Sequence, residues 1–112
     1  SDVGGGTSFS PFRTMLAAYC VGREGQTKQG LSLTPGQLWW QHTAGAARAL
    51  GLEGVVGNLQ PGCEADFVVL DPQATPLLAR KTSQANSLDE LLFSLIVLGD
   101  DRVVVRSVIA GG

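Results

Sequence analysis

The sequence is poor in charge. Lys, Arg, Asp and Glu together make up 16% of its 112 residues, against roughly 25% in an ordinary soluble domain. A small domain has the most surface for its volume and ought to be richer in charge, so the deficit points to surface shaped to face protein. Basic residues are also few: 8 Lys and Arg against 10 Asp and Glu give a net charge of −2. That balance excludes the basic footprint with which nucleic-acid binding begins. A single His leaves any zinc site short of the paired ligands it needs. The two Cys, Cys20 and Cys63, form neither a CxxC pair nor a disulfide framework, and such isolated thiols predict a reducing, cytoplasmic setting. No basic-then-apolar stretch marks residues 1–10 as a signal peptide. The longest nearly apolar run, Leu91 to Leu98, is well short of the ~20 residues of a membrane helix. The length itself excludes a complete (β/α)₈ barrel enzyme, which needs about 250 residues.

What is present reads as helices interleaved with short strands. After a Gly-rich loop over residues 1–10, Ser10-Pro11 predicts a helix start, with Pro at the first helical position. Phe12, Met15, Leu16, Tyr19 and Cys20 give one apolar stripe at helical spacing, and Gly22 is the expected terminator. Residues 22–33 read as loop. Thr34-Pro35-Gly36-Gln37 fits a capping box, flanked by Leu33 and Leu38 in the positions of a hydrophobic staple. The helix so begun is expected to run to Leu50, with Gly51 in the left-handed position and Leu52 folding back on Ala47. Val55–Leu59, Ala65–Leu70 and Val103–Ile109 read as strands, and residues 72–86 as irregular. A last helix starts at Ser87, with Asp89 and Glu90 complementing its dipole, and stops at Gly99. Leu88, Leu91, Leu92, Leu95, Ile96 and Leu98 make it apolar over more than half its circumference, so it reads as buried on more than one side.

The residues that carry chemistry elsewhere do not assemble here. Gly4-Gly5-Gly6-Thr7-Ser8 lacks the Gly-Lys-Ser/Thr of a phosphate loop and the dinucleotide fingerprint, and reads as a turn or as a place of close backbone approach. His42, beside Trp39 and Trp40, reads as packing or surface rather than as a ligand. Cys20 reads as core filler. Asp66 is a candidate cap for the turn at Gly62, and Asp100-Asp101-Arg102 a solvated turn. No Ser-His-Asp set, paired carboxylates or metal cluster can be built from them.

One stretch is more specific. Residues 57–71, Gly-Asn-Leu-Gln-Pro-Gly-Cys-Glu-Ala-Asp-Phe-Val-Val-Leu-Asp, preceded by Thr-Ala-Gly-Ala-Ala-Arg-Ala-Leu-Gly-Leu at 43–52, resemble the C-terminal signature of the amidohydrolase superfamily. Ser1 to Ser10, Leu38-Trp39-Trp40, Ala74-Thr75-Pro76-Leu77 and Leu98 to Arg102 narrow the resemblance to its guanine deaminases. The resemblance implies an α+β fragment: the last helices of a (β/α)₈ barrel plus a small antiparallel sheet of about three strands. It divides the chain into end-of-barrel loop and helices (1–53), strands of the small β domain (54–71 and 102–112), and an intervening loop and helix (72–101). It implies a zinc enzyme converting guanine and water to xanthine and ammonia in purine catabolism, with Asp2 as metal ligand and catalytic carboxylate at the end of the eighth strand. The His ligands and the proton-shuttle Glu of that family have no counterpart here. The expectation is therefore a C-terminal piece of the enzyme, cut at both ends, inactive and without bound zinc on its own.

Two other readings stay open at this point. One is a stand-alone interaction or oligomerisation module, and the other a piece of a pyrimidine or chloro-triazine hydrolase. Detached helices need partners, so a homodimer or higher oligomer is expected, exchanged through residues 22–33 or 72–86, with no nucleic acid and no membrane involved.

Overall fold

The computed structural model describes residues 4–6, 8–24 and 29–112. Five helices and a two-stranded ribbon follow one another: α1 (Pro11–Glu24), α2 (Pro35–Gln41), α3 (Ala44–Ala49), β1 (Phe67–Leu70), α4 (Pro76–Thr82), α5 (Leu88–Leu98), a single 3₁₀ turn (Asp101–Val103) and β2 (Val104–Val108).

Helix α1 turns Phe12 and Met15 into the core, with Leu16 and Tyr19 partly buried beside them. Cys20, expected as core filler, is exposed, because it lies past the edge of that stripe. Gly22 does not end the helix, which continues to Glu24. Its role is close approach: its carbonyl accepts from the Leu31 N–H at 2.7 Å, and a Cβ there would stand 2.9 Å from the Leu31 carbonyl oxygen.

The capping box forms as read. Thr34 Oγ1 accepts from the Gln37 N–H at 3.2 Å and Gln37 Oε1 from the Thr34 N–H at 2.9 Å, an arrangement worth about 1 kcal/mol. The helix it starts is not continuous to Leu50. It breaks at His42–Thr43, where Thr43 (φ −129°, ψ −107°) leaves helical geometry and its hydroxyl donates to the Trp39 carbonyl at 3.0 Å. Gly45 makes the break sterically feasible, since a Cβ on it would lie 2.6 Å from a Trp40 ring carbon. Helix α3 ends in the expected Schellman turn. Gly51 sits at φ +72°, its N–H reaches Arg48 O at 3.1 Å, and the Leu52 N–H reaches Ala47 O at 2.8 Å.

Two further expectations need correction. Val55–Leu59 is not a strand. The N–H groups of Val55 and Val56 both turn back to Leu52 O, and Gly54 and Gly57 take left-handed φ of +81° and +92°. The sheet among the described residues therefore has two strands rather than about three. Residues 72–86 are not wholly irregular, because α4 lies within them. Thr75 caps it by accepting from the Leu78 N–H at 3.3 Å, with Pro76 at the first turn. This is the Thr-Pro start already used at Thr34-Pro35, so the signal was present in the sequence.

Helix α5 is the centre. It packs against α1, α2 and α4, and Leu95 and Ile96 join Phe12, Met15, Leu38, Leu78 and Val103 in one buried cluster. Each such side chain is worth about 1.5–3 kcal/mol on burial. Polar straps fix the neighbours: the Trp39 indole N–H donates to Leu92 O at 3.3 Å, and the Gly36 N–H donates to Asp89 Oδ1 at 3.2 Å. Buried Ser94 satisfies its hydroxyl on Glu90 O at 2.7 Å. Phe12–Trp39 and Tyr19–Phe93 meet as tilted ring pairs at 5.8 and 4.9 Å.

Strands β1 and β2 run antiparallel, with Phe67 opposite Val108 and Leu70 opposite Val104, and a bulge between Val69 and Leu70. The ribbon packs on itself far more than on any helix. It is anchored at one end, where Leu70 packs on the core and the Asp71 N–H donates to the carbonyl of buried Val103 at 2.8 Å. At the far end Asp66 Oδ1 accepts from the Ala110 N–H at 2.7 Å, holding Ala110 at φ +51°.

Two predictions follow from local geometry. Gly57 and Gly54 share a left-handed φ, but a Cβ on Gly57 would meet Ala47 Cβ at 2.8 Å, whereas one on Gly54 meets nothing within 4 Å. Gly57→Ala is expected to destabilise the chain in urea by about 1 kcal/mol or more beyond Gly54→Ala, the excess being the packing clash. The second concerns the turn into β2. Asp100 takes a forked contact from Arg102 (Nη2–Oδ2 2.6 Å) and accepts the Arg102 N–H at 3.0 Å. The side-chain bond foremost, and the backbone bond after it, hold the Asp100 carboxyl below its ordinary value of 3.8. Its folded pKa is depressed, so its stabilisation is present above the unfolded value and is lost as pH falls through the folded one. An NMR titration of Asp100 is expected to give a midpoint below 3.8, rising in Arg102→Gln. An unchanged midpoint would remove the pair from the account.

Candidate functional site

Helix α2 and its break set one wall of a long concavity. Trp39, His42 and Thr43 lie at the C-terminal end of α2, Ala46, Ala47 and Leu50 on α3, and the turn at 56–59 closes that side. The opposite wall is the ribbon, through Phe67, Val68, Ser107 and Val108. Between them runs a groove of about 750 Å³. A smaller hollow of about 460 Å³ continues from it past Trp39, His42 and Val68 to Phe9, Phe12 and Met15.

The groove is mostly apolar, and four of its polar side chains, His42, Thr43, Asn58 and Asp66, already bond the chain's own backbone. His42 Nδ1 lies 3.0 Å from the Leu38 carbonyl. A carbonyl only accepts, so this bond assigns the proton to Nδ1. The Thr43 hydroxyl bonds Trp39 O, Asn58 Oδ1 takes the Gln60 N–H at 2.8 Å, and Asp66 Oδ1 takes the Ala110 N–H. Asp66 thus ties the two strands together at the ribbon's far end instead of capping the turn at Gly62, a contact 44 residues away in sequence that no local pattern reveals.

The other candidates fall apart in space. Gly4 adopts φ +97° in an exposed turn ahead of α1. Cys20 and Cys63 are both free thiols, the first exposed and the second half-buried. Asp100, Asp101 and Arg102 form the expected surface turn, tied by its own ion pair. Asp2, expected as metal ligand and catalytic carboxylate, lies outside the described residues. Among the described residues no three His, Cys, Asp or Glu side chains come together to hold a metal ion. The Asp66, Asp71, Asp89 and Glu90 carboxylates each accept a backbone N–H instead. The described residues therefore do not fit a zinc centre, and they hold no nucleophile–base pair. Their arrangement can anchor, pack and receive another apolar surface. No helix among them is long and apolar enough to cross a membrane.

Comparison with known proteins gives this geometry a context. The guanine deaminase of Escherichia coli (strain K12) is 40% identical over 111 residues, which is 99% of this chain and 24% of that protein. The probable guanine deaminase of Deinococcus radiodurans is 38% identical over 112 residues, 25% of its length. Among solved structures, Escherichia coli guanine deaminase matches with a TM-score of 0.90 at 38% identity, over 99% of this chain and 25% of that one. The guanine deaminase from Bradyrhizobium japonicum matches with a TM-score of 0.80 at 32% identity, over 99% of this chain and 29% of that one. The chain thus spans about a quarter of the length of the curated relatives it matches. The model of the amidohydrolase family matches residues 1–112, the whole sequence. Signature, fold and full-length match agree that the chain belongs to the amidohydrolase family.

Proposed function

We propose that these 112 residues act as the C-terminal quarter of a zinc-dependent guanine deaminase, which converts guanine and water to xanthine and ammonia in cytoplasmic purine catabolism. The observation that carries this reading is the match to the Escherichia coli enzyme in both sequence and structure over 99% of the chain. In it, residues 1–53 supply the end of the barrel with its closing helices, 54–71 and 102–112 strands of the small β domain, and 72–101 the element between them. Asp2 is the one residue of the chain assigned to the metal, as a carboxylate ligand at the mouth of the barrel, where such sites lie. The zinc, the imidazole ligands and the proton-shuttle carboxylate come from polypeptide outside these residues.

The reading predicts a division of labour. The 112-residue chain incubated with Zn²⁺ and guanine is expected to form no xanthine above background. A chimera in which it replaces the matching quarter of the Escherichia coli enzyme is expected to turn guanine over. Asp2→Asn in that chimera, which keeps the shape but removes the negative charge, is expected to lower kcat by about 100-fold or more. Turnover by the 112 residues alone, or a folded chimera whose rate ignores Asp2→Asn, would refute the assignment.

A further inference from the structure

We draw no further inference here: the strongest candidate, the apolar hollow between the C-terminal end of α2 and the ribbon, lined by Phe12, Met15, Trp39, His42 and Val68, carries none because nothing in the structure shows what covers it.

Discussion

The burial of α5 is the constraint on which the rest depends. It carries apolar side chains around more than half of its circumference, and among the described residues α1, α2 and α4 pack against it. Those helices commit their apolar stripes to that task, and the straps from Trp39 to Leu92 and from Gly36 to Asp89 fix their angles. The result is a chain with a well-formed helical core and a strand pair whose apolar faces look outward. The 16% charge has the same origin: many surface positions carry residues suited to contact with protein rather than water.

Most of what is local was legible in the sequence. Thr34 with Gln37, Ser87 with Asp89 and Glu90, and Gly51 with Leu52 each announce a helix end through side chains within a turn of the backbone they satisfy. What was missed depends on contacts between distant residues or on steric detail. The break at Thr43 follows from Trp40 lying where a Gly45 Cβ would be, and a helical pattern running through Ala-Gly-Ala-Ala does not disclose it. Val55–Leu59 has strand composition, but Gly54 and Gly57 turn the backbone, and the absent Cβ of Gly57 lets that turn lie against Ala47. Asp66 was visible as a polar residue in an apolar run, yet its partner at Ala110 is fixed only by the pairing of β1 with β2.

The candidate site shows the same division more sharply. The signature over residues 57–71 pointed to the amidohydrolase family because cap, turn and strand occur in order, and the full-length family match agrees. No pattern in 112 residues could supply the metal centre, because its ligands need several strand ends that converge only in a larger fold. The described residues instead hold a carboxylate inventory spent on backbone N–H groups, which is scaffold chemistry.

The helical core is covered by its own side chains, whereas most of the ribbon stands exposed. Amide hydrogen exchange on the 112-residue chain reads both parts in one experiment. The account predicts strong protection for the α5 amides around Leu95 and Ile96, and exchange orders of magnitude faster along Phe67–Leu70 and Val104–Val108. Equal protection of ribbon and α5 would contradict it.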